Sequence, residues 1–303
     1  MAKQSAMRYT RTKGDKVFDV VNGVLITIFT LIVLYPLIFV INASFSDPTR
    51  IYEVPLLLWP RGFNWRGYTE ILKDKDILIG FKNAVVYTAL GTVINLVVTT
   101  LGAYPLSRKE LKGKGFFTLF FTVTMFFSGG LIPTYLVNQQ LGIINTIWVM
   151  ILPGALGVYN MILMRTYFQQ NIPNELVESA YIDGANDMQL LWKVVLPLST
   201  PIIAVMAMFY GVGRWNDYFN AMIYLQDRSK FPLQLILREI LIQGKFGDSA
   251  NQTLQGSAQA ELMMIKLTLK YSVVIISSLP VLLFYPVVAK YFEKGILVGA
   301  IKG

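Results

Sequence analysis

From Gly115 to Met164 the chain carries no acidic or basic residue. A helix needs about 20 apolar residues to cross the hydrocarbon core of a bilayer, so this run is too long for one crossing. It divides at Asn138–Asn145, NQQLGIIN, a polar turn that contains glycine. The run therefore predicts two membrane helices, near residues 116–137 and 144–164. Lipid leaves no water to satisfy the backbone, which makes continuous helices the default. Charge-free windows at Val20–Ser46, Asn83–Ser107 and Tyr271–Ala289 predict three more, near 20–41, 83–106 and 271–289. A sixth, near 198–225, lies in Val194–Leu225 and is interrupted by Arg214 and Asp217. The expected fold class is an all-α integral membrane protein, one domain over residues 1–303 with six transmembrane helices.

Composition agrees. The chain is 54% hydrophobic with a mean hydropathy of +0.51, more apolar than soluble domains usually are. It has no cysteine and no histidine, which removes disulfides, thiol nucleophiles, common zinc sites and the usual proton shuttle. The net charge of +9 is read as bases beside spans rather than a nucleic-acid surface. A cleaved signal peptide is the other reading of the first run. Its apolar part exceeds the roughly 7–15 residues of a signal, and no A-x-A site follows, so an uncleaved span is expected.

Orientation follows the bases. Lys3, Arg8, Arg11, Lys13 and Lys16 precede the first span. Arg108, Lys109, Lys112 and Lys114 lie between the second and third, and Lys290, Lys294 and Lys302 follow the sixth. Six spans put all three groups, and both termini, in the cytoplasm. The longer loops, 42–80 and 226–270, then lie outside and mix both signs. No internal repeat is visible.

The same topology makes residues 165–197 cytoplasmic, yet Arg165–Thr200 holds two bases against four acids, Glu175, Glu178, Asp183 and Asp187, a net of −2. Its local signals are strong. Asn174 is expected to cap a helix, with Leu176, Val177, Ala180 and Tyr181 on one apolar face. Gly184 would stop it as a left-handed residue. Asn186 and Gln189 have capping-box spacing, and Met188, Leu191, Trp192 and Val195 follow at helical spacing up to Leu196–Pro197. An acidic, amphipathic two-helix knuckle suits docking on a basic cleft better than lying on lipid, where such helices favour Lys and Arg.

Glu178-Ser179-Ala180, Gly184 and Leu196-Pro197 resemble the EAA loop of ABC importer permeases, with Ser179 in place of the usual Ala. The wider string IPNELVESAYIDGAN is similar to the carbohydrate-uptake branch related to maltose permeases. NAVVYTALGTVINLVVTTLGAYPLSR, FSGGLIPTYL and the ending KYFEKGILVGAIKG resemble the second permease subunit of the Lpl-type oligosaccharide group. The resemblance covers nearly the whole chain. It implies the type I ABC importer permease fold in a bacterial cytoplasmic (inner) membrane. The implied partners are a second, different permease subunit, two ATPase subunits and an extracytoplasmic solute-binding protein. It further implies that the loop carries the coupling helix, through Glu178, Ser179, Ala180, Asp183, Gly184 and Trp192. Glu178 would pair with a base on the ATPase. ATP and Mg would be bound by that partner, with no cofactor in this chain. The 226–270 loop would approach the binding protein, and the tail from Lys290 the ATPase pair. Complex or acidic oligosaccharides, including alginate-type uronates, are the implied cargo.

GKG (Gly113–Gly115) and GVG (Gly211–Gly213) do not fit a phosphate-binding P-loop. No catalytic constellation and no metal site are expected, so no enzyme is. Substrate-pathway residues are expected in GVGRWNDYFNAMIY. Arg214 and Asp217 each cost roughly 2.5–3.5 kcal/mol at a bilayer centre; they could pair with each other, face a cavity, or mark the helix's outer end. Trp215, Asn216, Tyr218 and Asn220 supply the rings and amides that sugars require. Asn83 and Tyr87 join them, with Asn95, Thr99, Ser128 and Tyr135 as weaker choices, Asn95 better read as contact between helices. Pro280 and Pro286 would kink the last span. The competing reading is an ion-coupled secondary transporter or channel subunit, which needs ionisable groups or broken helices near mid-span.

Overall fold

The structure is a computed structural model that describes residues 12–51, 53–243, 269–286 and 289–290. Lys3, Arg8 and Arg11, residues 244–268 of the expected outer loop, and the tail beyond Lys290 lie outside the described residues. All regular structure among the described residues is helical.

The chain forms two compact units, one of residues 1–69 and 254–275, the other of residues 70–253 and 276–303. In the first, α1 (Lys13–Ser44) contains the predicted 20–41 span and starts at a Thr12/Asp15 capping box. None of its most apolar window is buried within the chain. Its last turn is different: Ala43 packs with Ile51, Leu57 and Tyr271. There Asn42 Nδ2 donates to Leu57 O at 3.0 Å and Ser46 Oγ to Asn42 O at 2.6 Å. These bonds turn the chain back at the end of the span. The short α2 (Arg66–Lys73) follows.

The second unit is built around α3 (Lys75–Ser107), which packs on most of the helices after it. It begins eight residues before the predicted 83–106 span, because Asp74 caps it by accepting from Asp76 N and Ile77 N. Charge patterning ends a span where the charges begin; a helix can run on through them.

The charge-free run Gly115–Met164 is more broken than two straight helices. The predicted 116–137 span is α4 (Lys114–Phe126) and α5 (Leu131–Gln140), which meet at 112° across Phe127–Gly130, with Gly130 at φ +86°. The predicted 144–164 span is α6 (Trp148–Ile151) and α7 (Val158–Asn171), parted by a segment containing Pro153 and Gly154. Then come α8 (Asn174–Ile182), α9 (Asp187–Leu190), a π-helical turn at Leu191–Val195, and α10 (Leu196–Leu198). The chain bends by 83° at Ser199 into α11 (Thr200–Trp215). Next are α12 (Tyr218–Tyr224), a 3-10 turn at Arg228–Lys230, α13 (Leu233–Arg238), a π turn at Glu239–Gln243, and α14 (Leu269–Pro286).

Among the described residues, three helices, α1, α3 and α14, are long and apolar enough to cross a membrane, and up to five spans result if each bent pair counts as one. Among the described residues, two clusters of buried residues pack on α3. One joins Tyr104 and Leu106 to Met164, Phe168, Val177, Leu190, Val195 and Met206. The other joins Tyr87 to Met150, Ala221, Tyr224 and Leu235.

Candidate functional site

The knuckle that the sequence singles out is formed by α8, α9 and the π turn. Asn174 is the first helical residue rather than the cap. Pro173, extended at φ −60° and ψ 137°, takes the cap position without a side-chain bond. Proline's fixed φ suits that entry, so the helix starts without help from Asn174. The other end is as expected. Gly184 lies at φ +81°, Gly184 N donates to Tyr181 O at 3.0 Å, and Ala185 N to Ala180 O at 2.9 Å. Those two bonds are a Schellman closure, which needs a left-handed residue that glycine supplies without strain. Asn186 and Gln189 form the capping box, at 2.8 and 3.0 Å. The Tyr181 hydroxyl donates to Asp187 Oδ1 at 2.5 Å, and that bond pushes its pKa up to about 12.

The expected single apolar face is divided. Val177, Leu190, Leu191 and Val195 are buried against α3, α7 and α11, with Ala180 packed beside them. Ile182 is 87% exposed, Trp192 62% and Met188 55%. Glu175, Glu178, Ser179 and Asp183 are exposed with them. Ser179 Oγ returns to Leu176 O at 3.1 Å, so the departure from Ala costs no buried polar group. The knuckle is thus anchored by one face and exposes large apolar side chains among carboxylates on the other.

Arg214 and Asp217 do not pair with each other. The Arg214 guanidinium is held by Met150 O (2.8 Å), Ile151 O (2.9 Å), Pro153 O (3.1 Å) and Asn95 Oδ1 (3.1 Å). These carbonyls end α6 and enter the break after it, where helical partners run out. The stem lies against Gly91, where an added Cβ would sit 3.1 Å from Nε. Hydrogen bonds to a charged group contribute about 1.5–3 kcal/mol each, so four outweigh an insertion cost of roughly 2.5–3.5 kcal/mol. Asp217 instead caps α12, accepting from Asn220 N at 3.2 Å and Asn220 Nδ2 at 2.8 Å. Asn95 also donates to Gly154 O at 3.3 Å, which makes it contact between segments as expected.

The remaining pathway expectations are scattered. Asn83 Nδ2 donates to Ser229 O and Phe231 O at 2.8 and 3.1 Å, and Tyr87 OH to Lys230 O at 2.9 Å, so both hold the 3-10 turn on α3. Trp215 is buried; its Nε1 donates to Ser277 O at 2.9 Å, and its ring meets Phe81 edge-on. Asn216 bonds back to Val212 O, and Tyr218 lies under Arg238 at 6.0 Å. Thr99 Oγ1 lies 2.6 Å from Tyr210 OH, Tyr135 stacks on Tyr224, and Ser128 is exposed.

Two fixing residues escaped the sequence. Arg228 bridges Asp76 Oδ2 (2.7 Å) and Glu239 Oε2 (3.0 Å), and both carboxylates raise its pKa against the opposing effect of burial. Asn145, at φ +57°, accepts Gln226 N and Asp227 N, both at 3.1 Å. A tolerance of asparagine for the left-handed region was the one available signal.

This broken-helix, apolar architecture has relatives among known proteins. The chain belongs to the family of binding-protein-dependent transport system inner membrane components, whose profile matches residues 2–298. Among its relatives is protein LplC of Bacillus subtilis (strain 168), 36% identical and aligned over 96% of this chain and 97% of that one. Another is the polygalacturonan/rhamnogalacturonan transport system permease protein YtcP of the same organism, 39% identical over 95% of this chain and 99% of the relative. In structure the chain is similar to one from a bacterial ABC transporter involved in the import of the acidic polysaccharide alginate. There the TM-score is 0.85 and the identity 33%, over 93% of this chain and 99% of the other.

Proposed function

We propose that this chain is one of two different permease subunits of an ATP-driven, binding-protein-dependent oligosaccharide importer. It forms half of the translocation pathway and docks on a partner ATPase through residues 165–197. The observation that carries this is the exposed face of the knuckle, where Ile182, Met188 and Trp192 stand among Glu178 and Asp183 on a rigidly closed turn. Family membership supports it. ATP and Mg belong to the ATPase; no covalent chemistry is assigned to this chain.

Six crossings, with both termini in the cytoplasm, follow if α4/α5, α6/α7 and α10/α11 each count as one span beside α1, α3 and α14. Residues 42–80 and 226–270 then lie outside, the second of them toward the solute-binding protein. Relatives named for polygalacturonan and alginate favour acidic, uronate-type oligosaccharides. On the competing ion-coupled reading the charged candidates are already engaged, Arg214 by carbonyls and Asp217 by α12, while the broken helices it also calls for are present.

The chain has no native cysteine, so single cysteines at Ala180 and Ile182 give an unambiguous test. In inside-out vesicles they should crosslink to the ATPase, and transport should need ATP. Labelling only from the outer side, or crosslinks to lipid alone, would reject the reading.

A further inference from the structure

Beside the knuckle lies a cavity of about 430 Å³, walled by the end of α3, the basic loop after it, and α8–α9. Leu101, Pro105 and Leu191 make its apolar side; Arg108 and Lys112 make its cationic side. Tyr104 lines it at 6% exposure, and its buried hydroxyl has no hydrogen-bond partner. Arg108 lies 4.9 Å from the centre of the same ring. Neither Arg108 nor Lys112 enters an ion pair among the described residues. Two acids also line the cavity. Glu110 is the one acid among the four bases of the loop, and Asp187 is engaged by Tyr181.

Position narrows the occupant. α3 ends at Ser107, and α4 begins at Lys114 with Phe116, Phe117, Leu119 and Phe120 exposed. The loop between them therefore sits where an apolar helix surface gives way to polar surroundings. Along the chain the lining runs from Leu101 and Pro105 on α3 to Arg108 and Lys112 in the loop, apolar on the helix and cationic past its end. A phospholipid presents acyl chain, ester and phosphate in that order, and basic pockets at this level suit anionic headgroups.

We propose that this cavity binds the phosphate end of an anionic phospholipid. The acyl chain lies along Leu101 and Pro105, and the phosphate sits between Arg108 and Lys112. The knuckle forms the opposite wall, so the lipid braces the surface proposed to meet the ATPase. Assignment to the cytoplasmic leaflet rests on the proposed orientation; binding itself does not.

Native mass spectrometry of the full chain, assembled with its partner subunits, tests this with phosphatidylglycerol, phosphatidylcholine and soluble glycerol 3-phosphate. Phosphatidylglycerol should be retained in preference to both others. Arg108→Gln with Lys112→Gln should weaken retention by about 25-fold, each base near the surface contributing about fivefold. Equal retention of the two lipids, or retention unchanged in this double variant, overturns the proposal. Equal binding of glycerol 3-phosphate also overturns it, in favour of a soluble phosphate. A knuckle that fails to crosslink to the ATPase while phosphatidylglycerol selectivity persists faults the coupling reading alone.

Discussion

Tyr181 and Asp187 join hydroxyl to carboxylate at 2.5 Å across the left-handed Gly184, tying the two helices of the knuckle together. Tyr181→Phe removes that tie at an exposed position, so the global cost is small, about 0.5 kcal/mol. The sign of the pH dependence follows from a folded pKa of about 12 against an ordinary tyrosine value of about 10. The raised value means the tie is intact below pH 10 and lost as pH rises through 12. The penalty of the substitution should therefore be constant between pH 6 and 9. An ultraviolet difference titration against wild type should place Tyr181 among the last tyrosines to ionise.

Gly184 tests closure against contact. An added Cβ meets nothing within 4 Å, so the objection comes from the backbone at φ +81°. Gly184→Val should cost about 1–2 kcal/mol locally, and Gly184→Asn less, since asparagine tolerates that region. In the assembled transporter the valine variant should lose substrate-stimulated ATPase activity, with the asparagine variant retaining more of it. Equal, wild-type coupling in both would separate the turn from energy transfer.

Arg214 should prove a structural residue. Arg214→Gln leaves carbonyls at the end of α6 without donors and should destabilise the protein by about 3 kcal/mol, read as a lowered thermal midpoint in detergent. Gly91→Ala pushes a methyl toward the same stem. The two substitutions should be strongly non-additive, as neighbours sharing one network are. A variant of normal thermal stability that fails only in transport would return Arg214 to the substrate path.

Arg228, between Asp76 and Glu239, fixes the 3-10 turn to α3 and to the turn after α13. The Arg228 side chain is about one-third exposed, enough for solvent to screen the pair, so Arg228→Ala should cost only about 1 kcal/mol. The cost should shrink as salt rises. Thermal midpoints at low and high sodium chloride, wild type against variant, measure it.

Much of this was legible beforehand. Absence of charge located the apolar segments, and Gly184 and the Asn186–Gln189 pair set the knuckle as the spacing foretold. What charge could not reveal was where helices stop inside an apolar run. Gly130, Pro153–Gly154 and Ser199 break helices without any change of polarity large enough to mark a span end. The role of Arg214 was hidden for the same reason, because its partners are backbone carbonyls exposed by a break 61–64 residues away. Arg228 pairs with Asp76 across 152 residues, a distance at which local patterning is silent.

The unburied flank of α1 has a consequence for the life of the molecule. A helix with none of its most apolar window buried among the described residues offers that surface to lipid or to the companion subunits proposed above. Synthesised in excess of its companions, such a subunit presents to membrane quality control the very surface that a completed complex would conceal. Its abundance in the cell should therefore track that of the scarcest companion rather than its own rate of synthesis.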